Sequence, residues 1–526
     1  MLDFVIGKEI ASYVKQHRAL VIWALVLTSI SSLFVVIPAY LLQAFVDEGM
    51  KSASDPVSWK IPWITFESGS WLSWRRTELV LVEGISPNVL LAILALVAFV
   101  SILCKSIMIY LSGLCATAFS NRAVKSLRID LLKKFVSLPL GFFHSRKSGE
   151  LVARATADLT VLQGSISNVL IGLIEHPLTA TVFLAYLFLM NYKLTLLVFI
   201  VAPLIVGLTR LFGRKVKRNA KKVQDATADV TAAYQETLLC LKVIHGFFGG
   251  DREVRRFRDL ADYLYKRVMV WERWHLGLGP IMDVAVFLVL PAVLIVGKIY
   301  FQHTLGELMS MIYAFSRVYN PIKKFTRVHN NLRTLQGATK RVFGIMNTVP
   351  DIRERPGAKV LPRHSKLIEF GEVSFGYSPE NSVLKDISFK VAAGEMVAFV
   401  GSTGAGKSTL LDLIPRFYDV TSGSIRIDGV DIRDVTLSSL RRQIGIVNQE
   451  IVLFHDTIIN NISYGRSEKS AEQIMAAAEA AHAHDFVMAQ PDGYQTVVGD
   501  RGVLLSGGQR QRIAIARAML IDPAIL

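Results

Sequence analysis

The stretch Gly401–Thr409 reads Gly-Ser-Thr-Gly-Ala-Gly-Lys-Ser-Thr, and this order of residue types is suited to binding phosphate groups. Glycines at this spacing let the backbone curl until consecutive N–H groups face inward as an anion-binding nest. Lys407 is placed to reach the outer phosphates, and the Ser408 hydroxyl is placed to hold Mg²⁺. We therefore predict that nine residues bind ATP together with Mg²⁺: Gly401, Ser402, Thr403, Gly404, Ala405, Gly406, Lys407, Ser408 and Thr409.

The sequence on either side favours a phosphate loop over an ordinary glycine-rich turn. Met396–Val400 is a short apolar run, which predicts a buried parallel strand. Leu410–Ile414 predicts the start of a helix whose N-terminal dipole favours the same phosphates.

A second glycine pair lies about a hundred residues later, in the run Leu505-Ser-Gly-Gly-Gln509. Two glycines after a serine predict another cradle of backbone N–H groups, and Gln511–Leu520 predicts a helix behind it. The chain therefore has two predicted phosphate-binding surfaces in one domain. The residues of the second surface are Ser506, Gly507, Gly508 and Gln509.

Six apolar segments precede this domain, and each is long enough to cross a bilayer at about 20 residues per crossing. They are Leu20–Phe45, Val89–Leu114, Ile166–Met190, Leu194–Phe212, Ile281–Tyr300 and Leu305–Phe325. A soluble all-helical protein is the alternative, but six such runs favour a membrane domain. Only Asn191–Lys193 separates the third and fourth segments, which predicts antiparallel neighbours.

Positive charge predicts the orientation of these segments. The formal net charge is +16, and Lys and Arg are concentrated in Ala118–Leu159 and Gly213–Arg273, which predicts that both lie in the cytoplasm. Both termini and the nucleotide domain are then cytoplasmic. We interpret the basic excess as loops against an anionic membrane surface and expect no nucleic-acid partner. Asp47–Gly84, with four tryptophans, is predicted to be a long external loop near the lipid interface.

A change of pattern marks the domain boundary. Residues 346–366 are rich in proline and charge, as in a linker, and Leu367–Phe375 alternates like a strand. The predicted domains are 1–345 in the membrane and 367–526 for the nucleotide. The three cysteines have no metal-ligand spacing and no redox motif, and they do not form a disulfide framework.

These motifs resemble the ATP-binding cassette (ABC) family, and six spans before one cassette resemble its exporter half-transporters. The resemblance implies a type-1 exporter, with six transmembrane helices, an α/β P-loop domain and alternating access. Tyr377 resembles the aromatic residue that stacks on adenine, and Gln449 resembles a glutamine that binds Mg²⁺ with Ser408. Asp500 stands where the family usually has Glu. Phe142–Arg154 and Leu241–Phe257 resemble the two coupling-helix regions.

In this family ATP lies between the phosphate loop of one cassette and the second glycine motif of another. The resemblance therefore implies a homodimer. The sequence ends at Leu526, and the family's Mg²⁺-binding Asp, catalytic Glu and switch His would lie beyond it. The catalytic residues are thus unknown, the α/β domain is incomplete at its C-terminus, and we expect little ATPase activity from residues 1–526 alone.

The sequence specifies the cargo less well than the ATP-binding domain. Several segments resemble lipid-flipping exporters of the bacterial inner membrane, which predicts a lipid or another amphiphile as cargo. Alternatives are a drug or peptide exporter with the same engine, or an ATP-binding module that transports nothing. The substrate candidates are charged residues in or near the spans, namely Lys105, Glu175, Lys323 and Lys324. Snorkelling of the side chain to the membrane surface also explains Lys323 and Lys324.

Overall fold

The computed structural model describes residues 3, 6–51, 56–66, 74–144, 146, 148–378, 381–466 and 468–526. Within these ranges the side chains of residues 60–66, 74–79, 148, 197–206, 208–210, 278–279, 282–283, 285–290, 292–293, 319, 322–323 and 326 are not described. The chain divides into two compact units. The first contains Met1–Ile129 and Thr156–Phe343, and the second contains Asp130–Ala155 and Gly344–Leu526.

The described residues up to Met346 are mostly helical. The helices, in chain order, are α1 (Lys8–Lys15), α2 (Arg18–Leu33), α3 (Ile37–Asp47), α4 (Pro87–Ser137), α5 (Leu140–His144), α6 (Ser148–Ala153), α7 (Leu159–Leu239), α8 (Leu241–Gly246), α9 (Gly250–Ile299) and α10 (Leu305–Met346). A 3₁₀ turn, Phe34–Val36, joins α2 to α3, and a π-helical turn, Arg154–Asp158, precedes α7.

Three helical stretches of the described chain are long and apolar enough to cross a membrane, namely Arg18–Gly49, Pro87–Ser137 and Gly149–Leu196. They contain the first three predicted spans. The fourth, fifth and sixth predicted spans lie on α7, α9 and α10, and many of their side chains fall outside the described set. The exposed apolar faces of α4 are typical of lipid contact, with Leu96 and Phe99 both more than 60% exposed.

The chain reverses direction within α7, as the short Asn191–Lys193 link predicts. Asn191 has extended backbone angles, φ −158° and ψ 104°, and its Oδ1 accepts a hydrogen bond from the Leu194 N–H at 2.9 Å. The Thr195 hydroxyl lies 2.9 Å from the carbonyl oxygen of Leu187, eight residues earlier. A straight helix would separate these residues by about 12 Å along its axis, so two antiparallel helices meet here.

The predicted external loop Asp47–Gly84 contains a β-hairpin. Strands β1 (Val57–Phe66) and β2 (Trp74–Ile85) pair antiparallel. Val57 is 2% exposed and packs with Leu90 and Leu94 of α4. The sequence analysis did not predict this hairpin, which alternating β-branched and aromatic residues favour, and the external position of the segment stays a prediction. Trp71 lies outside the described residues.

The second unit contains four strands and several short helices. The strands are β3 (Leu367–Ser378), β4 (Asn381–Ala392), β5 (Ser422–Ile427) and β6 (Val430–Asp431), in the antiparallel order β4-β3-β5-β6. The helices are α11 (Lys407–Leu413), α12 (Leu437–Arg441), α13 (Ile458–Ile462), α14 (Ala471–Ala480), α15 (His484–Met488) and α16 (Gly507–Leu520).

Two apolar cores support this unit. Inward side chains of β3, such as Phe370 and Val373, pack with Leu413 of α11, so the alternation seen in the sequence does bury one face. A separate core joins α13 to α16, with Ile458, Ala478 and Ile513 fully buried. The phosphate loop emerges from the first core, and the second glycine motif emerges from the other.

The predicted strand Met396–Val400 is not formed. These residues have no regular secondary structure, and Met396 and Val400 are 97% and 94% exposed. A parallel strand buried on both faces needs hydrogen-bonded neighbours, and no described residue supplies one beside this run. Near it, the described chain forms only an isolated parallel bridge between Ile444 and Ile525.

Candidate functional site

The backbone of the phosphate loop has the conformation that its glycines permit. Gly404 and Gly406 both have a φ of 87°, in the left-handed region where side chains are strained. A Cβ on Gly406 would also lie 2.8 Å from Cδ2 of Leu384. Helix α11 begins at the next residue, Lys407. Glycine at position 406 is therefore required both by backbone angle and by packing.

The loop is open to an incoming anion. Gly401, Ser402, Thr403, Gly404 and Ala405 are exposed, and so is Ser408. The Lys407 ammonium donates to the carbonyl oxygens of Gly401 and Ser402, both at 2.8 Å, so it lies over the loop. An exposed glycine-rich loop with one ammonium across it suits a triphosphate in charge.

Tyr377 lies beside this loop. Its hydroxyl is 3.0 Å from Oγ1 of the buried Thr409, and its ring is 52% exposed. Phe375 and Tyr418 hold the ring edge-to-face, at centroid distances of 5.1 Å and 5.3 Å. A fixed aromatic ring with an open surface next to a phosphate loop is suited to stacking on a nucleobase.

The short helix α5 contributes one more ring to this aromatic group, and sequence reasoning did not single it out. His144 lies 6.4 Å from Tyr377 and 6.2 Å from Tyr418, between ring centroids. Burial, together with Tyr377 and Asp412 nearby, raises the pKa of Tyr418 to about 12. Tyr418 is therefore neutral at physiological pH. Burial also raises the pKa of Asp412, and the nearby His144 partly opposes that shift.

Gln449 is exposed in a segment without regular structure. No contact of the described residues joins it to Ser408, so its part in a Mg²⁺ site stays a prediction. Ser408 and Gln449 supply a hydroxyl and a carbonyl oxygen, which are ligands that Mg²⁺ accepts when nucleotide phosphates complete the set.

The second glycine motif forms the N-terminus of α16. The Ser506 hydroxyl accepts the Gln509 N–H at 3.3 Å, and the Gln509 side chain accepts the Ser506 N–H at 2.9 Å. This capping box leaves Gly507 and Gly508 exposed in the first turn, where N–H groups have no intrahelical partner. Asp500 lies before it and pairs with His455 at 3.0 Å. The motif can therefore present N–H groups to an anion at the surface.

A separate cavity of about 410 Å³ lies among the membrane helices. Three of the substrate candidates, Lys105, Glu175 and Lys324, line it together with His176 and Arg317. Sequence reasoning missed Arg317, although an arginine inside the sixth predicted span is a signal of the same kind as Lys105. The side chain of Lys323 lies outside the described residues.

Comparison with known proteins assigns both parts of the chain to families. Residues 18–321 match the family described as the ABC transporter transmembrane region, and residues 384–526 match the ABC transporter family. An "ATP-dependent lipid A-core flippase" of Desulfotalea psychrophila is 36% identical over 439 residues, covering 83% of this chain and 77% of that protein. A flippase of the same name from Syntrophus aciditrophicus is 38% identical over 420 residues, covering 79% and 70%.

A solved structure, described as a bacterial Atm1-family ABC exporter with ATP bound, superposes with a TM-score of 0.74 at 26% identity. The match covers 96% of this chain and 84% of that one. The predicted resemblance to ABC exporters, with a helical membrane domain and a nucleotide-binding domain, is thus confirmed. The roles of the individual site residues and the domain limits stay predictions. The chain belongs to the ABC transporters, whose ATPase cassette drives movement across a membrane, and it carries both the transmembrane region and the cassette of that family.

Proposed function

We propose that this protein uses ATP and Mg²⁺ to move a phosphate-bearing amphiphile across the bacterial inner membrane. The observation that supports this most is the cavity among the membrane helices, because three cations line it: Lys105, Arg317 and Lys324. Cations at membrane depth are costly, and they are favourable when an anionic group binds between them. The relatives named as lipid A-core flippases make a glycolipid phosphate the leading cargo.

The polar residues of the same cavity suit a headgroup better than an apolar drug. Ser31 and Ser32 are buried there, and Asn320 adds an amide. The Ser31 and Ser32 hydroxyls both donate to the carbonyl oxygen of Thr28, at 2.8 Å and 2.9 Å, which holds their oxygens in place. A purely hydrophobic cargo would leave the Asn320 amide and the three cations without a partner in the cargo.

The acting unit in this proposal is a pair of identical chains. Gly507 and Gly508 are exposed, as a surface that receives a partner's nucleotide would be. The turn after α8, which we predict to be cytoplasmic, is apolar and exposed, with Phe247 and Phe248 at 83% and 95%. Such a patch in a monomer favours an interface. In this family each ATP lies between two cassettes, so we propose that a second copy of the chain covers this patch.

The test is transport in sealed vesicles. The full-length gene product, reconstituted in both orientations with a fluorescent phosphate-bearing lipid, is expected to change the fraction of lipid open to an external quencher when MgATP is added. The Lys105→Gln/Lys324→Gln double variant is expected to bind ATP normally and to lose most of this movement. Undiminished movement by that variant would reject the cavity as the cargo site.

A further inference from the structure

The membrane cavity contains an acid as well as its three cations. Glu175 and His176 of α7 line it opposite groups from α4 and α10. The Glu175 side chain is 39% exposed, and its carboxylate lies 4.0 Å from Nδ1 of His176. Among the described side chains, no Lys or Arg nitrogen lies within 4.0 Å of this carboxylate. The cavity therefore offers one separate negative position beside its positive ones.

The cations likewise have no carboxylate at ion-pair distance among the described side chains, although Lys105 lies near enough to Glu175 to interact with its charge. In the described part of the chain, neither Lys105 nor Lys324 has a carboxylate oxygen within 4.0 Å. Arg317 stacks its guanidinium over the Tyr313 ring at 5.0 Å, and no described carboxylate is paired with it either. Charges that share a cavity at membrane depth would ordinarily pair with one another. Here no close ion pair forms among the described side chains, so an occupant that carries both signs would satisfy both.

A purely anionic headgroup fits this arrangement poorly. It would satisfy the cations but would lie in the same 410 Å³ cavity as the Glu175 carboxylate, which repels it. A neutral headgroup would leave all four charged side chains without an opposite charge at ion-pair distance among the described side chains. A headgroup with a phosphate and an ammonium group matches both, because each charge meets its opposite within one cavity.

We infer that the cargo headgroup is dipolar, with its phosphate held by Lys105, Arg317 and Lys324 and its ammonium group held by Glu175. This inference rests on the proposed function and adds the substrate class: a phospholipid or glycolipid phosphate that carries an amine. In this inference Glu175 makes the protein prefer a headgroup with an amine over one without, and the three cations do not contribute to that preference.

Two probes that differ only in the amine test this inference. Short-chain phosphatidylethanolamine keeps the ammonium group, and its N-acetyl derivative keeps the phosphate but loses the positive charge. Binding of each to the purified full-length protein is titrated by tryptophan fluorescence or native mass spectrometry. The wild-type protein is expected to bind the amine about tenfold more tightly, as for a hydrogen bond between charged groups.

Matched variants assign the effect. Glu175→Gln is expected to remove the discrimination by weakening only the amine probe, and Lys105→Gln is expected to weaken both probes. Glu83→Gln, on the exposed part of β2, is the control and is expected to change neither. ATP binding by each variant verifies that it is folded.

The outcomes separate the inference from the proposed function. If the wild-type protein binds both probes equally, or if Glu175→Gln weakens both alike, the dipolar headgroup is rejected while the phosphate site stands. If neither probe binds, and Lys105→Gln leaves transport unchanged, the proposed cargo site is rejected with it.

Discussion

His144 and Tyr377 lie with their rings nearly parallel, at an interplanar angle of 15° and a centroid distance of 6.4 Å. His144 ends α5, a five-residue helix that lies in the same compact unit as the nucleotide loop. The ring predicted to hold adenine is thus in contact with the loop between the second and third membrane spans.

Replacing His144 is expected to weaken ATP binding without removing it. His144→Ala deletes one aromatic neighbour of Tyr377 and Tyr418, and an aromatic pair contributes about 0.5–1.5 kcal/mol. We expect a two- to tenfold loss of ATP affinity by titration, and His144→Phe is expected to restore most of it. His245→Ala, in the corresponding short helix α8, is the matched control. Equal losses in the two alanine variants would contradict a specific contact.

Tyr377 is expected to recognise the base and not the phosphates. Tyr377→Ala should lower ATP affinity about tenfold, as expected when a stacking ring is lost. Tyr377→Phe loses only the hydroxyl contact to Thr409 and should stay within about twofold. Tripolyphosphate, which has no base, provides the internal control. If Tyr377→Ala weakens tripolyphosphate as much as ATP, the residue acts by supporting the loop and not by stacking.

Asp428 is expected to make the cassette sensitive to acid. Burial alone would raise the pKa of its carboxyl, but N–H bonds from Leu367, Ser365 and Lys366 outweigh burial and lower it. Because the folded pKa lies below the unfolded one, the stabilisation is complete above the unfolded pKa and is lost as pH falls through the folded pKa.

The measurement is thermal unfolding between about pH 6 and pH 3, a window set by the ordinary carboxyl pKa. Asp428→Asn should lower stability at pH 6 and reduce its dependence on acid. Asp434→Asn, at an exposed ion pair with Arg355, is the control. An unchanged acid slope in Asp428→Asn would contradict the account of this carboxylate.

The ion pair between Arg341 and Asp158 is expected to hold the π-helical turn before α7 against α10. Arg341 donates through Nε and Nη2 to the two oxygens of Asp158, at 2.9 Å and 2.6 Å. Asp158 is 8% exposed, so Arg341→Ala leaves a buried acid unpaired at a cost of about 1–3 kcal/mol.

Thermal unfolding of the detergent-solubilised protein checks this cost. Arg256→Ala, which breaks an exposed pair with Glu236, is the control and should cost much less. Equal destabilisation by the two variants would mean that burial of Asp158 contributes nothing.

The sequence predicts the phosphate loop more completely than the secondary structure around it. The spacing of glycines, lysine and serine predicts a phosphate loop at Gly401–Thr409. The turn at Asn191 is predicted by a different signal, because a three-residue link cannot connect parallel spans. The hairpin at Val57–Ile85 was missed because composition was weighed above alternation. Met396–Val400 failed as a strand because strand formation depends on neighbours that are distant in sequence.

The membrane cavity was predicted only in part. Intramembrane charge pointed to Lys105 and Glu175, but the assembly of groups from α4, α7 and α10 into one cavity depends on helix packing. Arg317 has the same signal and was not singled out. His144 lies in the stretch Phe142–Arg154 that resembles a coupling-helix region, but its own role becomes visible only when its ring is seen beside Tyr377.

The most direct test of the account measures ATP-driven movement of a phosphate-bearing lipid by the full-length gene product and by its Lys407→Ala variant. In the structure the Lys407 ammonium lies over the phosphate loop, so its loss should reduce triphosphate affinity at least tenfold. We predict that the wild-type protein moves the lipid only with MgATP and that the variant does not. Equal ATP affinity and equal lipid movement in the two proteins would contradict the account.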